Sequence, residues 1–304
     1  MVHDRHGSPV TSVLPVTCAS PLRWAGGKRR LLPLLRAVLP RRIERVIEPF
    51  FGGGSVSLGL AAEAALGADT NEELVNFFVQ ATTHTEAVLR VMAGFPDDRD
   101  TYSRVRDWQP DVGIDRAGRF AYLNRTGYFG LYRTNRHGKY NVPYGGGGRL
   151  NHVKFSEALH GMATVMSRVT LEHANYLSLL SQVEANDVVF LDPPYGTAGD
   201  FPFRRYGSLL FSSADHRRLA TEASRCRELG ARVFLTLPSD DLLLGAYEGW
   251  DVVGERRRGG KTVELCLSSE PPLAPLNHLP GEWSLVRRVQ VAADAQLAVR
   301  TGTQ

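Results

Sequence analysis

Residues 188–197 read VVFLDPPYGT. Four apolar residues in a row fit a strand buried on both faces, as in the middle of a parallel sheet. No strand or helix runs on easily through Pro193 and Pro194, because each proline lacks the backbone N–H that both structures use. The chain is therefore expected to leave the sheet at Asp192, on the carboxyl edge where open α/β sheets form their binding crevices.

The rest of the chain supplies the units such a sheet needs. RVIEPFFGGG, from Arg45, is an apolar run ending in glycines. SVSLGLAAEAALG follows with Ala and Leu at helical spacing, which predicts a helix capped by Ser55 and closed by Gly67. A very short strand then ends at Asp69. The alternation returns late, with DVVFLDPPY as a strand, SADHRRLATEASRCRELG as a helix capped at Ser213, ARVFLTLP as a strand, and WDVVGERRR with KTVELCLSS as a closing hairpin. Both halves read as one doubly wound sheet. Between them, over residues 77–169, periodicity weakens and Arg, Tyr, Asn and Gly accumulate, as in FAYLNRTGYFGLYRTNRHGKYNVPYGGGGRL, which predicts an inserted module. The expected division is a flexible leader at 1–20, a sheet-bearing domain made of 21–76 and 170–270, the insert at 77–169, and a linker and tail at 271–304.

Of the 304 residues 43% are apolar, enough for a sizeable core. Lys and Arg number 36 against 32 Asp and Glu, so the net charge of +4 permits a polyanionic partner and the placement of the arginines must decide. Cys18, Cys226 and Cys266 are odd in number and far apart, without Cys-x-x-Cys spacing, so no metal and a reducing, cytoplasmic setting are expected. No stretch approaches the ~20 consecutive apolar residues of a membrane span, and residues 1–20 lack the charged start and compact apolar middle of a secretory signal.

Three features suit one chemistry. In EPFFGGGS, residues 48–55, small residues let the backbone approach a ligand, so a side chain at Gly52 is expected to enter that ligand's space. The turn is not the dinucleotide fingerprint, since the third glycine would fall at Ser57; the pattern is Phe-x-Gly-x-Gly, at Phe50, Gly52 and Gly54. Asp69 follows about twenty residues on, where an acid in a nucleoside-binding α/β fold accepts hydrogen bonds from ribose hydroxyls. The Asp192 carboxylate and the Pro193 carbonyl can both accept from a planar amino group, the Pro-Pro pair holds them still, and Tyr195 offers a ring on which a base can stack.

Over about residues 21–270 the chain resembles amino-group DNA methyltransferases of the Dam type, the D12 class of N6-adenine-specific enzymes. Four stretches carry the likeness: PLRWAGGKRRLL at 21–32, EPFFGGGS at 48–55, NRTGYFGLYRTNRHGKYNVPYG at 124–145 and DPPY at 192–195. Their order and spacing together are specific. The resemblance implies a Rossmann-like S-adenosylmethionine-dependent methyltransferase fold with a small, mainly helical DNA-recognition domain inserted at 77–169. It implies S-adenosylmethionine as cofactor, double-stranded DNA as partner, and methylation of adenine N6 at GATC or a related GA-containing site; the sequence leaves the oligomeric state open, with a monomer expected. Trp24, Gly26, Gly27 and Lys28 match the motif that closes over the cofactor. Glu48, Pro49, Phe50, Gly52, Gly53, Gly54 and Ser55 match its methionine-side turn, Asp69 its ribose acid, and Asp192, Pro193, Pro194 and Tyr195 the catalytic tetrapeptide, with Asp192 also facing the cofactor. Asn175 and Tyr176 stand where the family often has an Asp-Phe pair along the cofactor adenine, and Asn can still bond an adenine edge. A second departure is Leu237-Pro238-Ser239-Asp240, where an Asn-containing turn is expected.

The middle block is where DNA would be read. Arg119, Arg125, Arg133, Arg136 and Lys139 alternate with Tyr122, Tyr128, Phe129, Tyr132 and Tyr140, giving phosphate partners, wedges and a candidate for bidentate guanine recognition, while about half of the rings should form the module's own core. Arg23, Arg125, Tyr128, Phe129, Leu131, Arg133, Asn135 and Pro143 are the expected DNA contacts. Arg256, Arg257, Arg258 and Lys261 form a second cluster expected to meet phosphates. Competing readings are an amino methyltransferase for cytosine N4, RNA adenine or a protein glutamine amide, a DNA-binding protein that has lost catalysis, and a nucleotide-dependent oxidoreductase. Asp192 with the Arg-rich insert favours adenine in DNA, because a glutamine-modifying relative would usually carry Asn at that position. The intact Asp192 and Lys28 weigh against lost catalysis, and Ser57 against the oxidoreductase.

Overall fold

The computed structural model describes residues 15–148, 150–194, 211–239, 244–270 and 283–290. Its strands are β1 (Ile43–Glu48), β2 (Ala62–Asp69), β3 (Val169–His173), β4 (Val188–Leu191), β5 (Arg232–Pro238), β6 (Asp251–Arg258), β7 (Lys261–Ser268) and β8 (Trp283–Gln290). They form one sheet in the order β3-β2-β1-β4-β5-β7-β6-β8. The first five run parallel, and β6, β7 and β8 close the far edge antiparallel. Strand order reverses between β1 and β4, so the segments leaving those two strands part and open a crevice at their carboxyl ends.

β4 is buried on both faces, as its apolar run predicts. Val189 and Leu191 join the cluster under helices α8 (Tyr176–Leu180) and α9 (Ser213–Glu228), while Val188 and Phe190 join the opposite cluster under α1 (Leu32–Val38). Truncating Phe190 to Ala would cost about 3–5 kcal/mol through lost burial and a cavity. The β6–β7 hairpin and the union of both halves in one sheet also stand as expected.

Several local expectations fail. Helix α2 spans only Ser55–Gly59, and residues 62–69, read as helix and a brief strand, are all β2. Ala-Glu-Ala-Ala-Leu favours helix locally, but β2 lies between β1 and β3, where tertiary pairing overrides propensity. Gly67 is inside that strand because the Phe51 ring packs where its Cβ would stand. The α2 cap is Gly54 in the left-handed region (φ 66°), not Ser55, and the α9 cap is Ser212, which forms a capping box with Asp215, not Ser213. Part of the expected tail is strand β8, which pairs with β6 and buries Trp283.

Between β2 and β3 run α3 (Glu72–Thr83), α4 (Thr85–Ala93), α5 (Arg99–Asp107), α6 (Gly113–Thr126) and α7 (His152–Met166). The expected boundary at 76/77 falls inside α3. Phe77, Phe78, Phe120 and Leu159 from these helices share one apolar cluster with Phe51 and Leu58, so the helical layer packs directly on the glycine turn rather than around a separate core. Among the described residues no helix is long and apolar enough to cross a membrane, and no group of three or more His, Cys, Asp or Glu could hold a metal.

Candidate active site at the carboxyl edge of the sheet

Asp192 follows the last residue of β4 directly. Register pairs Leu191 with Leu235, which brings Thr236 of β5 alongside, and the Thr236 hydroxyl donates to Asp192 Oδ1 over 2.7 Å. Oδ2 lies 2.8 Å from Lys28 Nζ. That ammonium also donates to the Gly26 carbonyl at 2.7 Å and lies 3.3 Å from Glu264 Oε1, while Arg256 Nε lies 2.8 Å from Glu264 Oε2. Lys28, Thr236 and Glu264 are buried. Burial alone would lower the Lys28 pKa, but Asp192 and Glu264 outweigh it and hold the amine above its ordinary value.

On the other side of the reversal point the glycine turn carries Glu48 at the end of β1. Its carboxylate accepts from the Ser57 amide at 2.8 Å and the Ser57 hydroxyl at 2.6 Å. Burial pushes its pKa up to about 7, and the nearby charge of Asp192 adds to the rise. Asp69, at the end of β2, accepts from the Gly52 amide at 2.8 Å and the Asn71 amide at 2.9 Å. Burial raises its pKa as well. Each oxygen keeps a second lone pair, so the carboxylate can still accept from a diol.

The segment bearing Trp24 closes over this turn. The Trp24 ring lies where a Cβ on Gly52 would be, 2.8 Å from its Nε1, so that glycine makes room for Trp24 and not, as expected, for a ligand. Gly53 meets the same side chain, and Gly26 needs its positive φ of 79°. Pro49 is buried, Ser55 half-buried in the first turn of α2, and the Gly27 amide donates to the Trp24 carbonyl. Phe50 stacks on Tyr176 at 5.3 Å, giving two flat apolar faces near Asp69's strand end. Asn175 caps α8 through its side-chain oxygen, which accepts from the Leu177 and Ser178 amides, leaving its NH2 to meet an adenine edge. These groups fit an adenosine: a diol acceptor, ring faces and the Asn175 amide, beside a glycine turn covered by Trp24. Pro193 and Pro194 are described; Tyr195 and Asp240 lie outside the described residues, while Leu237 and Pro238 belong to β5.

The expected DNA contacts divide. Tyr128 and Phe129 are exposed side by side, ring centroids 4.5 Å apart, and Phe129 holds φ 52°. From Leu131 to Pro143 the chain forms a hairpin-like arm, bridged at Thr134 and Tyr140, with Arg136 and Lys139 exposed at its tip. Asn135 shapes that tip by accepting from the His137 and Lys139 amides. Arg133 is clamped by Asn141, Nε to Oδ1 at 2.8 Å and Nη2 to the carbonyl at 3.1 Å. Pro143 is exposed and Leu131 half-buried. Arg23 Nη1 donates to the Arg125 carbonyl, and the half-buried Arg125 donates to Pro21 and lies over the Phe155 ring.

Two expectations about cations are corrected. Arg119 is buried and donates to the carbonyls of Val105 and Arg106, so it is no phosphate partner. Arg256 turns inward to Glu264, whereas Arg257, which also donates to the Gly260 carbonyl, Arg258 and Lys261 are exposed. Tyr122, Tyr132 and Tyr140 belong to or pack on the helical cluster, which matches the expected share of structural rings. Thr236 and Glu264 were missed. Each is a polar residue inside an apolar strand run, a pattern that requires a buried partner.

A Rossmann-like sheet with a glycine turn on one side of its reversal point and an acid-Pro-Pro exit on the other defines a methyltransferase. The chain belongs to the D12 class N6 adenine-specific DNA methyltransferase family, whose model matches residues 24–254. It is 28% identical over 243 residues to a type II methyltransferase, M1.LlaDCHI, of Lactococcus lactis subsp. cremoris, covering 76% of this chain and 84% of that one. A DNA adenine methylase of Vibrio cholerae is 32% identical over 224 residues, 71% and 79% of the two chains. The retron Ec67 DNA adenine methylase of Escherichia coli is 29% identical over 237 residues, 75% and 80%. The protein is thus an adenine-N6 DNA methyltransferase, and family membership implies S-adenosylmethionine as methyl donor and DNA as substrate.

Proposed function

We propose that the protein methylates adenine N6 at a short GA-containing site in double-stranded DNA, GATC or a relative of it, and acts as a cytoplasmic monomer. The observation that carries the catalytic part is Asp192: a carboxylate at the crevice, held on one oxygen by Thr236 and on the other by Lys28. A carboxylate oxygen can accept more than one hydrogen bond. With the Pro193 carbonyl the Asp192 oxygens accept hydrogen bonds from the amino group of an adenine turned out of the duplex. Accepting those protons raises electron density on N6 and stabilises the positive charge that develops as it is alkylated. Bound S-adenosylmethionine supplies the methyl on a sulfonium sulfur, which keeps the bonding electrons as the methyl departs.

For the cofactor, Asp69 holds the ribose hydroxyls, the stacked Phe50 and Tyr176 pair offers an outer ring face to the adenine beside the Asn175 amide, and the turn of Glu48, Gly53, Gly54 and Ser55 with Trp24, Gly26 and Gly27 encloses the methionine end. Lys28 contributes through Asp192. On DNA, the helical layer and its arm, residues 77–169, form the recognition part. Phe129 and Tyr128 act as wedges, Arg133 reads a base, Leu131 and Pro143 offer apolar surface to a thymine methyl, and Arg136, Lys139, Arg258 and Lys261 meet phosphates. Arg23 braces the junction between the closing segment and α6.

The test is Asp192→Ala, with methylation-sensitive sequencing of DNA from a host expressing each form. Wild type should mark one GA-containing site, and the variant should lose about a hundredfold or more in methyl transfer while still binding S-adenosylmethionine by calorimetry. Near-normal turnover in the variant overturns the assignment.

A further inference from the structure

Glu264 lies on β7, outside every segment that carries the family likeness, yet its carboxylate is buried between two cations that lead to the reacting edge. Lys28 Nζ is 3.3 Å from its Oε1 and Arg256 Nε 2.8 Å from its Oε2. Among the described residues it makes, with Asp192, a row of four charges, Arg256, Glu264, Lys28 and Asp192, two of each sign. Desolvating such a row costs as much as its attractions return, and well-packed apolar residues would hold the fold equally well. Stability therefore gives no reason for Glu264; geometry does. The Lys28 ammonium has three N–H donors, and the Gly26 carbonyl, Asp192 and Glu264 are among its acceptors, so the two carboxylates share one ammonium.

We infer that Glu264 is a positioning residue for methyl transfer: it draws Lys28 away from a one-to-one pair with Asp192, so that the Asp192 carboxylate keeps its charge density for the target amine. Arg256, anchored at the partly exposed end of the row, keeps Glu264 from turning toward solvent. Without the Glu264 charge, Lys28 settles fully on Asp192 Oδ2, and the carboxylate becomes both a poorer acceptor and a displaced one. The inference rests on Asp192 being the acceptor of the target amine.

Four variants test it, each followed by single-turnover methyl transfer, by KM for DNA and for S-adenosylmethionine, by the pH–rate profile and by the thermal midpoint. Glu264→Gln keeps the shape and removes the charge. Its rate should fall about tenfold or more, as misplacement of a reacting group by a fraction of an ångström does, with both KM values little changed when assayed well below the variant's own midpoint. Its alkaline limb should move to lower pH, because Lys28 loses one of the two carboxylates that hold its proton. Glu264→Asp, which restores the charge with a shorter reach, should recover part of the rate. Should the Gln form fold poorly, Arg256→Gln decides: releasing Glu264 from its anchor should lower the rate, and a wild-type rate there overturns the inference. So does a wild-type rate and pH profile in Glu264→Gln, or a loss of rate that only tracks a fall in midpoint. Asp192→Ala separates the two levels: activity surviving in that variant removes the acceptor itself, whereas an inactive Asp192→Ala beside a normal Glu264→Gln removes only the role of Glu264.

Discussion

Asp69 and Gly52 are joined across the crevice floor, the Asp69 Oδ2 accepting the Gly52 amide at 2.8 Å. One carboxylate thereby shapes the glycine turn and, with its remaining lone pairs, faces the proposed ribose. Asp69→Ala should weaken S-adenosylmethionine binding by about tenfold or more, since hydrogen bonds to a charged group are worth about 1.5–3 kcal/mol. Calorimetry on the folded variant checks it, and an unchanged affinity would move the cofactor elsewhere.

Gly52 acts differently from what its place in the motif suggests. Its φ of 50° is left-handed, and a Cβ would press on the Trp24 indole. Gly52→Ala should therefore cost stability, roughly 1–3 kcal/mol for strain at such a backbone, and change Trp24 fluorescence before any ligand is added. A variant with native midpoint and native fluorescence would contradict this.

Glu48 makes stability depend on pH. Its carboxyl titrates near 4.5 when exposed and at about 7 in the fold, because burial penalises the charged form. Between those values the folded state binds the proton more tightly, so the stabilisation present below 4.5 is lost as pH rises through about 7. The loss is about 3 kcal/mol at most. Glu48→Gln should remove it, so the midpoint of the variant minus that of wild type should grow from pH 5 to pH 8. Parallel curves would show that Glu48 does not titrate in this range.

What the sequence discloses depends on how local the physics is. β4 and its exit are legible because burial on both faces needs an unbroken apolar run and two prolines end it visibly. β2 is not, because Ala62 to Leu66 carries helix-forming residues and becomes a strand only through its neighbours on both sides. The same holds at the site. Asp192, Asp69 and the glycine turn stand at strand ends with their chemistry in the adjacent residues, whereas Thr236 and Glu264 reach the site through strand register and Lys28. Arg119 looks like any helical arginine until α6 turns it onto the carbonyls ending α5. Trp283 gave no sign of its burial, since only the pairing of β8 with β6 creates the space it fills.

The proposed choice of site turns on Arg133, and the clamp by Asn141 sharpens the expectation. Two of its N–H donors are taken, Nε by Asn141 Oδ1 and one Nη2 proton by the Asn141 carbonyl, which fixes the guanidinium plane against the arm. Three donors remain, including a pair on the Nη1 and Nη2 edge, and that fork matches the O6 and N7 acceptors of guanine. A rigid fork suits base reading better than phosphate contact, which tolerates a mobile charge. Phe129, exposed and held at positive φ, offers a base a ring face rather than a polar contact. Arg133→Ala should lose about 1–3 kcal/mol of discrimination at the base preceding the target adenine. Asn141→Ala should lose part of it, because the guanidinium remains but is no longer oriented. Methylation rates on oligonucleotides varying only that base, measured in all three forms, give the answer. A phosphate contact would instead weaken every oligonucleotide alike and flatten the salt dependence in Arg133→Ala, and full guanine preference in that variant would take Arg133 out of recognition.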